Sequence, residues 1–286
     1  MHRPRKRLGQ HFLNDRRILA RIVDTLDPQP NETVIEIGPG QGTLTELLAP
    51  RSSQLVAIEL DRDLAGLLRE RYASRPSVEI VEGDVLDMPL AELSAGRPWS
   101  VTGNVPYYIT TPILFHALAS PRPRHIVFLV QREVGDRLAA RPGSEAYGAL
   151  SVNAQALALV SLHGRVPAGA FQPPPAVDSV IVRLTPLALP LVSAQEEAPF
   201  KTLVQGAFSL RRKQMIRVVR TLYDTEPERA DRLLQSIAIA PNARPEVLPP
   251  QSFVDLLRAA ERDGLRLVGT ASARRSRRTL DSTEQN

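Results

Sequence analysis

Apolar residues follow two patterns along this chain. Short strand-like runs, the last of them apolar at nearly every position, recur at Thr33–Ile37, Gln54–Glu59, 78–84, Trp99–Gly103 and 125–130. Such runs predict strands buried on both faces, as in a parallel sheet. Between them apolar positions return at helical spacing. Ile18, Leu19, Ile22, Val23 and Leu26 mark a helix over 15–26, with Asn14 or Asp15 placed to cap it. Further helices are predicted over 43–48, 63–72, 112–119, 133–140 and 150–159. Alternation of strand and helix predicts an α/β fold, a Rossmann-like doubly wound sheet. Segments 160–166 and 179–184 read as late strands, an antiparallel pair at one edge, joined by a Pro-rich loop from Phe171 to Ser179.

Beyond Leu184 the pattern changes. Pro186, Pro190 and Pro199 punctuate a linker, and only helical periodicity follows, over 200–209, 212–222, 228–237 and 252–263. The expected organisation is a first domain over 1–185, a smaller all-helical domain over 186–270, and a Ser/Thr/Arg-rich tail over 271–286 read as disordered.

The chain has 286 residues, 43% of them hydrophobic, and a net charge of +5. Its cations are bunched: Arg3, Arg5, Lys6 and Arg7; Arg211, Arg212, Lys213, Arg217 and Arg220; Arg274, Arg275, Arg277 and Arg278. Any one cluster suits a solvated surface equally well; three together point to a polyanion such as nucleic acid. There is no cysteine, which excludes disulfides, thiolate metal sites and a Cys nucleophile, and fits a reducing compartment. The five histidines show no metal-ligand spacing. No apolar region follows the basic N-terminus and no run approaches a membrane span, so a cytoplasmic protein without membrane attachment is expected.

Candidate chemistry gathers at the C-terminal ends of the predicted strands, where open α/β sheets bind ligands. Strand 33–37 runs into Gly38-Pro39-Gly40-Gln41-Gly42 and then a helix, so backbone N–H groups face a ligand. The spacing is not the G-x-G-x-x-G of dehydrogenases, and Glu36 sits inside the strand, as in many S-adenosylmethionine enzymes. Glu59 ends the second strand, where a carboxylate can accept both ribose hydroxyls. Asp84 follows the third and can accept an adenine amino group while the N–H of Val85 donates to a ring nitrogen. Acidic residues at these places also cap helices. The fourth strand leads into Asn104-Val105-Pro106-Tyr107. There the Asn104 carboxamide oxygen and the carbonyl preceding Pro106 can accept from an exocyclic amine, and the Tyr107 ring can stack on its base; Asn and Pro are also ordinary turn formers.

These motifs, in this order, resemble the ribosomal RNA adenine N6,N6-dimethyltransferases that act on small-subunit RNA. The resemblance runs from about Lys6 to Leu265. It rests on 8–13 (LGQHFL), 36–40 (EIGPG), 58–61 (IELD), 83–85 (GDV), 104–107 (NVPY), 131–134 (QREV), Tyr147-Gly148 with 150–152, Phe171-x-Pro173-x-Pro175, and Arg211-Arg212-Lys213. Val105 and Arg132 stand where leucine or isoleucine and lysine are usual. The resemblance implies S-adenosyl-L-methionine as cofactor, held by His11, Leu13, Gly38, Gly40, Glu59, Asp84, Val85 and Asn104. It implies that Asn104, Pro106, Tyr107 and Phe171 form the catalytic group, with Tyr107 and Phe171 clamping the target adenine. It further implies RNA held by Arg211, Arg212 and Lys213, a pre-30S-like particle as partner, and a monomer. By its surroundings alone His11 reads as a capping or core histidine. The antibiotic-resistance methyltransferases of large-subunit RNA share the catalytic motifs, but the full helical second domain and its Arg211-Arg212-Lys213 start favour the small-subunit type. Two other readings stay open: an RNA-binding assembly factor for which methylation is secondary, and a DNA adenine methyltransferase.

Overall fold

The structure is a computed structural model that describes residues 11–268. The clusters Arg3–Arg7 and Arg274–Arg278, the Leu8-Gly9-Gln10 start of one motif and the 271–286 tail lie outside the described residues.

The first unit comprises the chain up to Ala139 together with Ala158–Ala188. It opens with β1 (Phe12–Leu13) and α1 (Arg16–Leu26). Asp15 is the residue that caps α1, its carboxylate accepting from the N–H groups of Arg17 and Ile18 at 2.8 and 3.2 Å. There follow β2 (Thr33–Ile37), α2 (Thr43–Leu48), β3 (Gln54–Glu59), α3 (Arg62–Tyr72), β4 (Val78–Glu82), α4 (Leu90–Leu93), β5 (Trp99–Gly103), α5 (Thr110–Ala117), β6 (Ile126–Gln131) and α6 (Arg132–Leu138). The chain next forms α7 (Ala149–Gln155), then returns to this unit as β7 (Ala158–Val166), β8 (Phe171–Gln172) and β9 (Ser179–Pro186).

The main sheet has seven strands in the order β4-β3-β2-β5-β6-β9-β7. Strands β4 to β6 are mutually parallel, and β9 and β7 add antiparallel at one edge, as the sequence pattern predicts. Strands β2, β5 and β6 are buried along nearly their whole length, and β6 accordingly reads as a nearly unbroken apolar run. The side of α1 bearing Ile18, Leu19, Ile22, Val23 and Leu26 joins a core cluster with Leu44, Leu48, Val127, Leu129 and Ile181. Glu32, 1% exposed, is held there by the Arg124 guanidinium at 2.9 Å, so the buried charge is paired.

The second unit takes Ala140–Leu157 as well as the chain from Leu189 on. This differs from the expected boundary, which kept everything through 185 in the first domain. Tyr147 explains the difference. It is fully buried, its ring meets Phe208 edge-on at 6.1 Å, Phe208 in turn meets Phe253 at 5.9 Å, and its hydroxyl donates to the Leu248 carbonyl at 2.8 Å. Helix α7 therefore belongs to the same unit as α8 (Glu197–Ser209), α9 (Met215–Tyr223), α10 (Pro227–Ser236) and α11 (Pro250–Arg262), and packs on α8 and α11. Amphipathic periodicity shows that a helix has an apolar side, but not which neighbour covers it. A second difference concerns Arg211, Arg212 and Lys213, expected near a helix start. They lie in a turn before α9, because Gln214 is extended and the Met215 N–H donates to the Ala243 carbonyl at 2.7 Å.

Candidate active site

A cavity opens at the C-terminal ends of β2, β3, β4 and β5 within the first unit. Of the expected residues, it brings together His11, Leu13, Gly38, Gly40, Glu59, Asp84, Val85, Asn104, Pro106 and Tyr107. Each side chain is placed by what the backbone leaves available at a strand end.

Glu59 is 5% exposed. One carboxylate oxygen accepts from the Gly40 N–H and the other from the Asp61 N–H, both at 2.9 Å. The glycine loop and the end of β3 thus fix the carboxylate plane, and a second lone pair on each oxygen remains for a pair of vicinal hydroxyls. Burial pushes the Glu59 carboxyl above its usual range. Gly40 has φ +57°, and a Cβ on it would sit 2.9 Å from Cε1 of Phe12. Both the left-handed backbone and the close aromatic ring require glycine there.

Asp84 accepts from the Leu86 N–H at 2.9 Å, capping the short 3-10 turn Val85–Asp87. The capping and ligand-binding readings are thereby reconciled: one oxygen caps, and the other remains for an amino group. Glu36, within β2, lines the same cavity at 1% exposure, and its Oε2 has no hydrogen-bond partner. Burial, with the neighbouring charge of Glu59 adding to it, pushes the Glu36 carboxyl up to about 8.

Asn104 donates from Nδ2 to the His11 carbonyl at 2.7 Å. A carbonyl can only accept, so this bond sets the amide orientation and leaves Oδ1 as an acceptor with no partner among the described residues. His11 is placed in turn by a contact between Nδ1 and the Pro173 carbonyl at 2.7 Å. Its ring lies stacked with Tyr107, centroids 5.9 Å apart and planes 21° apart. The Tyr107 hydroxyl meets Ser179 Oγ at 2.6 Å, and burial pushes its pKa above the usual phenol range.

Phe171 stands apart from these residues. It is not among those lining the cavity; it is 4% exposed and packs with Leu13, Leu19 and Ile22, which themselves border the cavity. The antiparallel ladder of β1 with β8 pairs Leu13 with Phe171, so both point to the same side. The residues missed from sequence are Phe12, over Gly40; Ser179, which holds Tyr107; and Tyr108 and Gln131 at the cavity rim. The two-residue strand that places Phe12 is too short to leave a periodicity.

The donor set can be tested against S-adenosylmethionine. Three carboxylates, an unpartnered buried carboxyl oxygen, backbone N–H groups of a glycine loop and apolar walls from Ile37 and Ile58 surround one space. That set suits a ligand with two hydroxyls, an adenine edge and positive charge at the other end. Fold and cavity together define an S-adenosylmethionine-dependent methyltransferase. The comparisons narrow this class. The family model "Ribosomal RNA adenine dimethylase" matches residues 1–261. A ribosomal RNA small subunit methyltransferase A of Geobacter metallireducens is 43% identical over 262 residues, covering 90% of this chain and 95% of that one. The chain therefore belongs to the ribosomal RNA adenine dimethylase family. Among solved structures, a dimethyladenosine transferase from Plasmodium falciparum superposes with a TM-score of 0.79 at 24% identity, over 90% of this chain and 100% of that one, and so shows the fold. The 23S rRNA methyltransferase ErmE gives a TM-score of 0.69 at 28% identity, over 87% and 99%.

Proposed function

We propose that this enzyme transfers methyl groups from S-adenosylmethionine to N6 of two adjacent adenosines in a hairpin loop near the 3′ end of small-subunit ribosomal RNA, two methyls to each. The observation that carries the reading is the Asn104 carboxamide in the cavity lining, turned by its bond to His11 so that Oδ1 is an acceptor with no partner among the described residues.

In this reading Glu59 accepts the ribose hydroxyls, Asp84 and the Val85 N–H hold the adenine edge of the cofactor, and Gly38 and Gly40 admit its close approach. His11 and Leu13 close the pocket from β1. The methyl on sulfonium is the electrophile that S-adenosylmethionine supplies when bound. Asn104 Oδ1 and the Val105 carbonyl, which precedes Pro106, accept hydrogen bonds from the target N6–H₂. Those bonds favour a pyramidal nitrogen and free a lone pair otherwise delocalised into the ring. Tyr107, held by Ser179 and His11, offers a stacking face to the extruded base. Asn104 and Tyr107 position the amine, and positioning is a large part of such a rate. The product ammonium is acidic, so its proton leaves to water and no strong base is needed.

Exposed Arg211, Arg212 and Lys213 are suited to RNA phosphates. Among the described residues no helix is long and apolar enough to cross a membrane. The expected setting is a monomer acting on a pre-30S-like particle in the cytoplasm.

Labelled methyl transfer to small subunits lacking adenine methylation tests the reading, with large subunits and naked DNA alongside. Label recovered as N6,N6-dimethyladenosine in small-subunit RNA is the expected result. Label in large-subunit RNA or DNA, or none, would overturn it.

A further inference from the structure

We propose that an aromatic vestibule beside the acceptor site binds a second adenine, that of the adenosine adjoining the target along the RNA. The inference rests on the reaction set out above. The vestibule is lined by His11, Tyr107, Tyr108 and Gln131, and shares the first three with the main cavity.

The two tyrosines differ in what holds them. Tyr107 is engaged on both ring and hydroxyl, by His11 and Ser179. Tyr108, the next residue of the same 3-10 turn, is 66% exposed and has no aromatic partner among the described residues. An exposed aromatic ring at the rim of a site for an extruded base is a stacking platform, and RNA-binding proteins read unstacked bases on such rings. Gln131 ends β6 and pairs in register with Ser179, the residue that holds Tyr107. Its side-chain amide makes no hydrogen bond among the described residues. A free carboxamide presents an acceptor beside donors, which complements the amino group and adjacent ring nitrogen of adenine. Ring and amide together suit a purine with an exocyclic amine.

This arrangement serves a substrate with two target bases in sequence. One adenine occupies the acceptor site while its neighbour is held against Tyr108, and the two exchange places without release of the RNA.

The test uses the full-length protein, unmethylated small subunits, and a hairpin RNA with 2-aminopurine at the position adjoining the target. Wild type and Tyr108→Phe should quench the fluorescence on binding; Tyr108→Ala should not. In transfer assays Tyr108→Ala should raise KM for RNA about tenfold, the scale of one lost base stack, without raising KM for S-adenosylmethionine. Gln131→Ala should weaken the preference for adenine over uracil at the adjoining position. Absence of quenching by the wild type, or wild-type quenching and RNA KM in Tyr108→Ala, overturns the vestibule while leaving the methyl-transfer reading intact. Failure of the wild type to methylate adenosine in any RNA overturns both.

Discussion

Glu36→Gln isolates the electrostatic consequence of putting an acid inside β2. The side chain is 1% exposed, and burial first, then the charge of Glu59, pushes its carboxyl up to about 8 from the 4.5 of an unperturbed glutamate. Between those two values the folded protein keeps a proton that the unfolded chain has released. Stability therefore falls as pH rises from about 4.5 and levels off above about 8. At 1.36 kcal/mol per unit, the loss accumulated between pH 5 and pH 8 is a few kcal/mol, on the order of 3. Glutamine at this position keeps the shape and cannot ionise. Glu59 is present in both proteins, so its own raised titration largely cancels in the comparison. The unfolding free energy of the variant, relative to wild type, should rise by a few kcal/mol, on the order of 3, between pH 5 and pH 8, measured by urea unfolding with unchanged m. Stability curves that stay parallel across this range would refute the placement of a neutral, buried carboxyl in the cavity wall. Because the expected cofactor is cationic, its binding at pH 7 should release protons from wild type and fewer from the variant, measured by calorimetry in buffers of different ionisation enthalpy.

Other substitutions test other parts of the site. Asn104→Ala should lower methyl transfer by about two orders of magnitude or more, the scale of a lost transition-state hydrogen bond, while retaining part of the cofactor affinity measured by calorimetry. Gly40→Ala should weaken cofactor binding by about 1–2 kcal/mol from the left-handed backbone alone, and adding Phe12→Ala should recover the part due to the close ring. Phe171→Ala should cost about 3–5 kcal/mol of stability in chemical unfolding, whereas Phe171→Leu should transfer methyl at close to the wild-type rate; loss of transfer in a stably folded Phe171→Leu protein would restore Phe171 to the adenine clamp. Replacing Arg211, Arg212 and Lys213 together with glutamine should flatten the salt dependence of RNA binding by about two units of log–log slope, without moving the dissociation constant for the cofactor.

The two-residue strand β1 shows where reading from sequence stops. The resemblance implies that His11 and Leu13 hold the cofactor, and the structure puts both in the lining of the cavity at the strand ends. Their neighbour Phe12, which contacts the Gly40 loop, had no signal of its own. Phe171 is the opposite case: the motif is legible, but the side it faces is set only once β8 is paired with β1.

By itself the sequence determined the strands, the order of the helices, and the acidic and amide residues at strand ends. Local sterics and burial on both faces impose those features on consecutive residues. The tertiary structure alone decided which side of a short strand meets the core, which unit claims α7, and which way the Asn104 carboxamide is turned. Each depends on a partner far along the chain: Leu13 on Phe171, Tyr147 on Phe208 and Leu248, Asn104 on His11. Long-range pairs of this kind leave no periodicity in a single sequence, because the free energy that selects them is released only when the chain closes on itself.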